Sequence, residues 1–374
     1  MTRKPILYLL PLLLLIAGVV APAAALAGPP PVNPLTGLPV DEANNLSLPP
    51  ALVSIANFPA SARPQAGLSY APIVYELYIG EGMTRFLAIF YGDYPSTAAT
   101  SNGNQSFDSQ VAQDAAIGPI RSGRVSYEEI RKFYNGFLVI ASGYQGVLQN
   151  LNAYTNFYGA DKSDVNSALI PVAKLEQIAQ SAGRQIEPAM LTGMTFEAQA
   201  PEGKDGQALW LPYSYYNQVF WRYDPASGAY NRYQDNADAS SFIQITDRLN
   251  GQPLAYENVI VLFADHQRIS GTIYDLELGY IDRAPALLFR DGTMHEIFWT
   301  TANGDYEKET GKLRPVRFID ADGNPFPLKP GQTWIETVTP ATTYYEAVDS
   351  LSWYDLKTKK LPGSGVWALR FVAP

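Results

Sequence analysis

The sequence predicts an α+β protein, with an N-terminal α/β domain built on a mixed sheet and a β-rich C-terminal domain. Short apolar strands alternate with helix-like segments up to about residue 181, which is the pattern of α/β folds. From about residue 209 onward, strand-like runs follow one another with turns between them. The chain has 374 residues, of which 47% are hydrophobic and 17% charged, so it can form the cores of about two domains.

The first 27 residues have the organisation of an export signal. Arg3 and Lys4 form a basic start, residues 6–20 are almost wholly apolar, and residues 25–27 (Ala-Leu-Ala) form a small-x-small cleavage site. We expect cleavage before Gly28, with a retained N-terminal anchor as the alternative. The protein is then exported and extracytoplasmic, either secreted or attached to the outer face of the cytoplasmic membrane. We expect contact with the membrane only if this segment is retained as an uncleaved anchor.

A Pro-rich tether is expected over residues 28–50, and the N-terminal domain over residues 51–235. The predicted strands are apolar and bounded by Gly, Pro or Asp. In chain order we predict strands from Ala51 to Asn57, Ile73 to Ile79 and Thr84 to Tyr91, a helix from Ser126 to Asn135, a strand from Phe137 to Ala141, and helices from Gln145 to Asn152 and Val172 to Ser181. Ser126 is the expected N-cap of its helix, and residues 94–108 are expected to form a mobile loop.

The polar stretch of residues 236–241 is the expected boundary to a C-terminal domain of residues 236–374. The sequence on both sides of this boundary predicts strands and turns. The predicted strands run from Gln218 to Tyr223, Ala229 to Gln234, Val259 to Ala264, Ile273 to Leu278, Ala286 to Phe289 and Met294 to Trp299. Arg290-Asp291-Gly292 is expected to form the hairpin turn between the last two.

The composition excludes several classes of function. With 27 basic and 36 acidic residues and a net charge of −9, the protein lacks the basic surface that nucleic-acid binding needs. There is no Cys, so disulfides, thiolate nucleophiles and Cys-ligated metal sites are excluded. The Gly-rich motifs that bind nucleotide phosphates are also missing from the sequence, and we expect no cofactor.

We do not expect a metal site either. His266 and His295 are the two histidines, and neither has a second ligand at the spacing of a metal site, so both are expected to be structural. Residues 320–324 (Asp-Ala-Asp-Gly-Asn) begin like a calcium loop, but the loop's sixth-position Gly and its later Glu are missing. A plain turn is therefore expected there.

The densest group of polar residues lies in the N-terminal domain, at strand ends and in adjoining loops, where α/β sheets place binding sites. The candidate ligand-binding residues are Asn57, Arg63, Gln65, Glu76, Arg85, Arg121, Ser122 and Arg124. Arg121 and Arg124 flank a Ser-Gly pair that leads into a predicted helix, so their guanidinium groups and the helix N–H groups are expected to converge on one anion. The alternative is that the arginines form structural ion pairs with Glu76, Glu81, Glu128 or Glu129.

Catalytic candidates are fewer. Glu76 and Glu81 form a carboxylate pair of the kind that hydrolyses a glycosidic bond with one acid and one base or nucleophile. Ser122 and Ser142 lie on predicted turns, but there is no Gly-x-Ser-x-Gly motif, and both histidines belong to the other domain. We therefore favour a protein that is not an enzyme.

Ten ordered segments of the sequence resemble a bacterial family. They are residues 33–39, 62–68 (ARPQAGL), 73–76 (IVYE), 82–86 (GMTRF), 117–124 (IGPIRSGR), 223–230, 257–261 (ENVIV), 289–292 (FRDG), 318–323 (FIDADG) and 328–334 (LKPGQTW). These segments are similar to those of the YerB-like lipoproteins, a two-domain family of unknown function. The resemblance implies an N-terminal α/β domain and a β-rich C-terminal domain on the outer face of the cytoplasmic membrane.

The chain departs from this family in two respects. Many family members begin, after processing, at an acylated Cys, and this chain has no Cys, so the resemblance does not imply lipid anchoring here. Residues 162–169 stand where relatives carry a segment of the type Arg-x-Ala-Pro-His-Asn-Leu-Tyr. They keep Asn166 and lose the His.

Three functions remain open at this point. The leading expectation is a cell-envelope-associated protein that binds an anionic or polar envelope ligand, such as a glycan or a peptide carboxylate. Its expected contacts are Arg63, Arg85, Arg121 and Arg124. The second is an envelope hydrolase that uses Glu76 and Glu81 on a glycan or phosphodiester. The third is a structural or assembly protein whose β-rich domain contacts another envelope protein.

Overall fold

The computed structural model describes residues 31–92, 115–161, 163–183, 185–238, 241–271 and 273–374. The predicted export signal and the predicted loop of residues 94–108 lie outside these ranges. Residues 31–374 belong to one compact unit. Within the described ranges, every helix is too short or too polar to cross a membrane.

The first half of the chain supplies seven strands and three helices, and the main ones begin close to their predicted positions. The strands are β1 (Ala51–Ala56), β2 (Ile73–Gly80), β3 (Met83–Phe90), β4 (Ala116–Ile117), β5 (Phe137–Ile140), β6 (Tyr154–Asn156) and β7 (Ile170–Pro171). The helices are α1 (Ser126–Tyr134), α2 (Gln145–Leu148) and α3 (Val172–Ser181), and short 3-10 segments cover Ala43–Ser47, Ala60–Ala62, Leu68–Tyr70 and, later, Pro188–Leu191. Ser126 is already inside α1, whose first turn follows Val125 without a side-chain cap, so the predicted N-cap is corrected.

The second half is dominated by strands, as predicted. The strands before residue 280 are β8 (Lys204–Asp205), β9 (Ala208–Ser214), β10 (Asn217–Asp224), β11 (Ala229–Asp235), β12 (Phe242–Gln244), β13 (Ala255–Tyr256), β14 (Asn258–Phe263), β15 (His266–Ser270) and β16 (Ile273–Leu276). The remaining elements are β17 (Ala284–Arg290), β18 (Thr293–Thr300), α4 (Asp305–Thr310), β19 (Arg317–Ile319), β20 (Thr333–Val338), β21 (Thr343–Glu346), α5 (Trp353–Thr358) and β22 (Val366–Arg370). The turn between β17 and β18 has positive φ at Asp291 and Gly292, which is the geometry of a two-residue hairpin.

Eleven strands form the main sheet, in the order β19-β18-β17-β14-β20-β2-β3-β1-β5-β6, with β8 beside β18. Strand β2 is antiparallel to β3 and parallel to β20, while β1 is parallel to β5. The sheet is therefore mixed, as predicted, and together with the second sheet it confirms the α+β class. Because β2 and β20 are neighbours, strands from both halves of the chain share this one sheet.

A second sheet of seven strands packs on one face of the main sheet. Its order is β12-β11-β10-β9-β22-β21, with β13 beside β11. The core between the sheets includes Val53 and Val74 of the main sheet and Trp221 and Tyr230 of the second. The opposite face of the main sheet packs against α1, where Tyr127 and its neighbours form another core. The central strands are covered on both faces, which explains their nearly continuous apolar sequences.

The segment expected as a Pro-rich tether is folded onto the protein over most of its described part. Leu35, Val40 and Leu46 are buried in the core on the helix side of the main sheet. Asn33 donates a hydrogen bond from Nδ2 to the carbonyl of Tyr91 at 2.9 Å. Residues 33–46 thus pack against the main sheet because their apolar side chains are buried in the core on its helix side.

Candidate functional site

Two glutamates lie side by side in the middle of the main sheet. Glu76 on β2 is the register partner of Glu336 on β20, and both side chains are fully buried in the space between the two sheets. Arg232 on β11 approaches both, with Nη2 2.9 Å from Glu76 Oε2 and Nη1 3.4 Å from Glu336 Oε1. One buried cation is therefore shared between two buried carboxyl groups.

Aromatic rings enclose the guanidinium of Arg232. Its Cζ lies 4.5 Å from the ring centroid of Trp334, 5.2 Å from that of Phe86 and 5.3 Å from that of Trp221. These distances are in the range of cation–π contacts, which strengthen when the cation is removed from water. The rings exclude solvent, and the arginine has 1% of its surface exposed.

The pKa of Glu336 shows how the two buried carboxyl groups share one arginine. Burial, and then the charge of Glu76, raises the pKa of Glu336 to about 8. Trp221 Nε1 and Tyr213 Oη also donate hydrogen bonds to Glu336, each at 2.9 Å. These two hydrogen bonds oppose the shift, but burial prevails and favours the protonated form of Glu336.

Two predicted ligand-binding residues belong to the same buried group. Asn57 Nδ2 donates to Thr84 Oγ1 at 2.8 Å, and Thr84 Oγ1 donates to Glu76 Oε1 at 2.6 Å. Arg63 Nε donates to the carbonyl and to Oδ1 of Asn57, both at 3.1 Å. We call Asn57, Arg63, Glu76, Thr84, Arg232 and Glu336 the interior cluster.

Arg63 lies at the edge of the interior cluster. Its Nη1 donates to the carbonyl of Asp235 at 2.7 Å, and its Nη2 is buried with no hydrogen-bond partner among the described residues. Burial, with the charge of Arg232, lowers the pKa of Arg63 to about 10, so it stays charged at neutral pH. The loop that carries Arg63 is closed by Gly67 at φ 90°, where an added Cβ would lie 2.8 Å from Ile117 Cγ1. Gln65 holds the same loop to β1 by donating to the carbonyl of Ala56 at 2.9 Å.

The two catalytic candidates do not share an open site. Glu76 is fully buried, whereas Glu81 is exposed at the turn between β2 and β3. A carboxyl that is sealed between two sheets cannot contact a substrate without a rearrangement of the core. The geometry therefore gives no support to hydrolysis by this pair.

Arg85, Arg121 and Arg124 form a second group, which we call the arginine focus. It lies on the other face of β3, since Thr84 and Arg85 are consecutive and point to opposite faces of the sheet. Arg85 Nη1 donates to the carbonyl of Ser122 at 3.0 Å. The predicted residues Arg85, Arg121, Ser122 and Arg124 are thus brought together, apart from the interior cluster.

Arg85 is a buried cation that pairs with no carboxylate of the described ranges. It has 8% of its surface exposed, and its Nε makes no hydrogen bond with any described residue. Burial lowers the pKa of Arg85 to about 10, and the like charges of Arg124 and Arg121 act in the same direction. Arg124 Nε is also buried without a partner in the described part of the chain.

The loop that carries the arginine focus is attached to the ends of two parallel strands. Arg121 donates its backbone N–H to the carbonyl of Ser54 in the C-terminal half of β1, and its carbonyl accepts from the N–H of Ala141 just after β5. The N–H of Gly123 donates to the carbonyl of Ser142. Residues 121–123 therefore lie at the carboxyl ends of β1 and β5, the position at which open α/β sheets place their ligand sites.

Arg121 also borders a cavity of about 530 Å³. Other lining residues are Ser122, Tyr158, Asp161 and Asp164. The Arg121 side chain donates to the carbonyl of Val165, and its Nη2 donates to Asn166 Oδ1 at 2.9 Å. Asn166 thus positions an arginine of the focus.

Two sequence-based expectations about the arginine focus need correction. The first N–H groups of α1 are not free, because those of Tyr127 and Glu128 donate to the carbonyls of Arg124 and Val125. The predicted ion pairs with the nearby glutamates are also absent among the described residues. Glu128 instead pairs with Arg131 at 2.7 Å, and Glu129 accepts the N–H of Leu278.

Both histidines have structural contacts. His266 Nδ1 lies 2.9 Å from the carbonyl of Ala264, and His295 Nε2 lies 2.8 Å from the hydroxyl of Thr293. Burial lowers the pKa of both rings. In the described ranges, no group of three or more His, Asp or Glu is placed to hold a metal ion. Residues 320–324 form the expected turn, in which Asp320 accepts the N–H groups of Asp322 and Asn324.

Sequence reasoning missed Arg232 and Glu336. Glu336 carries a detectable signal, because it stands in the otherwise apolar or hydroxyl-bearing run Thr333–Val338. A Glu in such a run is either paired or neutral when buried. Arg232 gives no comparable signal, since it stands in a strand with polar residues on both sides.

The fold and its polar groups define a two-domain α+β protein whose two halves share one sheet. The chain matches the family models described as the N-terminal and C-terminal domains of a protein of unknown function (DUF3048), over residues 35–185 and 209–335. It belongs to this family. The position of the boundary between the domains, expected at residue 236, stays a prediction.

The chain is also similar to a protein from Bacillus subtilis, in sequence and in structure. It is 28% identical over 324 residues to a Bacillus subtilis protein described as "Putative lipoprotein YerB", covering 82% of this chain and 85% of the relative. The crystal structure of YerB from Bacillus subtilis superposes with a TM-score of 0.63 at 25% identity, and covers 82% of this chain and 96% of that one. The similarity to the YerB-like family predicted from the sequence is confirmed.

Proposed function

We propose that this protein is exported, associates with the cell envelope, and binds an anionic ligand at the arginine focus. The observation that carries the proposal is Arg85, a buried guanidinium with an unpartnered Nε and no carboxylate beside it among the described residues. Removing a charge from water costs several kcal/mol unless an opposite charge offsets it. A bound carboxylate or phosphate would supply that charge.

The surroundings of Arg85 suit an anionic ligand. Arg121 and Arg124 add two guanidinium groups, which bind carboxylate and phosphate oxygens in a bidentate manner. The cavity beside Arg121 opens next to this group. Asp161 and Asp164 also line the cavity, and the charge of Asp164 acts on Arg121. Their carboxylates favour a ligand with one anionic end and a polar, uncharged remainder.

The proposed location has separate support. The sequence begins with the organisation of an export signal, and the relative from Bacillus subtilis is described as a lipoprotein. A polar envelope component, such as a glycan or peptide that ends in a carboxylate, is a ligand that an extracytoplasmic protein encounters.

The proposal is tested by thermal denaturation with millimolar phosphate or citrate. We expect both anions to raise the Tm of the unmodified protein, because a ligand that binds the folded state stabilises it. Arg124→Ala should remove this increase because it removes one guanidinium of the arginine focus. We expect the fold to tolerate the change, since Arg124 Nε has no hydrogen-bond partner within the described part of the chain. Arg268→Ala, which removes an exposed arginine elsewhere, is the matched control. Equal anion-induced shifts in both variants would contradict the proposal.

A further inference from the structure

A second cleft lies at the far side of the second sheet, between the β9–β10 hairpin, β22 and α5. Its volume is about 310 Å³, at the lower end of the range of about 300–1,000 Å³ for small-molecule sites. Its lining includes Tyr215, Tyr345, Trp353, Lys357, Arg370 and Phe371. We call it the C-terminal cleft. None of its lining residues belongs to the interior cluster or the arginine focus.

Aromatic rings at this cleft are open to solvent. Trp353 is half-buried and is the one tryptophan of six that is not buried, and Tyr215 is 53% exposed. The two rings meet edge to face, with centroids 5.1 Å apart. Tyr216 stands against Tyr215 in the same way, also at 5.1 Å. The rings therefore hold one another in place while part of their surface stays exposed.

The edge of the C-terminal cleft is basic, although the whole chain has a net charge of −9. Lys357 Nζ lies 5.9 Å from the Trp353 ring centroid, and Arg370 stands across the cleft. Neither cation forms an ion pair with a described residue. The nearest acid on α5, Asp355, is already paired with Lys359 at 2.9 Å.

Buried hydrogen bonds fix the walls of the cleft. Gln218 accepts from Trp210 Nε1 at 3.1 Å and donates to the carbonyl of Tyr215 at 3.0 Å, which fixes the hairpin tip. Tyr345 Oη donates to the carbonyl of Leu356 at 3.0 Å, which holds α5 against β21. A site with preformed walls loses little entropy when it binds a ligand.

We propose that the C-terminal cleft binds a saccharide that carries a carboxylate. The exposed ring faces of Tyr215 and Trp353 suit the C–H face of a pyranose ring. Lys357 and Arg370 suit the carboxylate, because charge-assisted hydrogen bonds are the stronger ones. The apolar part of the lining is mostly aromatic, with Pro212 and Leu369 as its aliphatic members, and flat rings suit a pyranose better than an acyl chain.

The test uses a galacturonic acid trimer and, for comparison, a neutral galactose trimer. Binding is followed by tryptophan fluorescence, which reports on Trp353 because the other five tryptophans are buried, and by calorimetry. We expect the acidic trimer to bind about tenfold more tightly than the neutral one. Trp353→Ala should weaken the binding of both trimers at least about tenfold. The double variant Lys357→Gln, Arg370→Gln should bind both equally.

Matched controls separate binding from folding. Tyr144→Ala and Lys308→Gln remove an exposed aromatic ring and an exposed cation away from the cleft, and should bind the acidic trimer as the unmodified protein does. Trp353→Phe should keep most of the affinity. The proposal is overturned if the acidic trimer does not bind at millimolar concentration, or if Trp353→Ala binds it unchanged. It is also overturned if the fluorescence change depends on protein concentration alone, because the cleft is then an interface between two copies of the chain.

Discussion

The interior cluster and the arginine focus lie back to back on the two faces of β3, with Thr84 on one side and Arg85 on the other. Each contains a buried arginine. Arg232 is shared by two carboxyl groups and enclosed by three aromatic rings, whereas Arg85 has no carboxylate partner among the described residues. Burial alone therefore does not separate scaffold from site. The distinguishing feature is whether an opposite charge compensates the buried arginine. A buried cation without such a charge can be stabilised by an anion that binds from solution.

The largest expected effect comes from removing the cation of the interior cluster. Arg232→Met leaves Glu76 and Glu336 buried without a counter-charge, and we expect it to lower the free energy of unfolding by about 3–5 kcal/mol. Urea denaturation measures the loss. The triple variant Arg232→Met, Glu76→Gln, Glu336→Gln should regain most of it, since it contains no buried charge in this cluster. A loss below about 1 kcal/mol in the single variant would show that the ion pair carries no stability.

The next effect is on the pH dependence of stability. The pKa of Glu336 is about 8 in the folded protein and near the ordinary 4.5 in the unfolded chain. Between these values the folded state keeps a proton that the unfolded state has released. The contribution of Glu336 is therefore complete below about pH 4.5 and is lost as the pH rises towards 8, by up to about 1.4 kcal/mol per pH unit.

Glu336→Gln removes this titration. Its free energy of unfolding should fall less steeply than that of the unmodified protein between pH 5 and pH 8 in urea denaturation. Glu309→Gln, an exposed glutamate on α4, is the control and should leave the slope unchanged. Parallel curves for Glu336→Gln and the unmodified protein would show that Glu336 titrates normally.

A smaller effect on stability is expected at the arginine focus, where the matching substitution is Arg85→Met. It removes one hydrogen bond, to Ser122, but also a buried charge that has no partner, so the free energy of unfolding should change by no more than about 1 kcal/mol. The anion-induced rise in Tm should nevertheless disappear. If Arg85→Met lowers the free energy of unfolding as much as Arg232→Met does, Arg85 has a structural role, and the two groups do not differ in the way described.

The smallest effect concerns the residue that orients Arg121. Asn166→Ala removes the acceptor for Arg121 Nη2, which costs about 0.5–1.5 kcal/mol of interaction. We expect anion affinity to fall several-fold while the Tm without ligand stays nearly constant. Asn166→Asp keeps an acceptor but adds a negative charge beside Arg121, so it should weaken anion binding further. If Asn166→Ala binds anions like the unmodified protein, Arg121 is held by its contact with Val165 alone.

The sequence predicts the elements well and the grouping of the site residues only partly. Strands such as β1 and β14 are apolar on both faces and bounded by turn residues, so their positions follow from local composition. The separation of Asn57, Arg63 and Glu76 from Arg121 and Arg124 was not predicted. Alternation along β3 places Thr84 and Arg85 on opposite faces, and it could have suggested two groups rather than one.

The partner of Glu76 could not be predicted from local pattern. Glu336 becomes its neighbour through the parallel pairing of β2 with β20, strands that are separated by most of the chain. Arg232 comes from a different sheet altogether. Such proximity depends on strand order and sheet packing, which the composition of a short segment does not encode.

The pairing of β2 with β20 also bears on how the protein responds to proteolysis. A protease that cleaved the chain between residues 185 and 209 would separate the segments matched by the two family models, but not the sheet that they build together. The nicked protein should therefore elute from a sizing column as one particle, and its two fragments should come apart only in denaturant. A protein that contained only one of the two segments would have half of the main sheet with unpaired strand edges. We therefore expect the two family domains to occur together in the same chain.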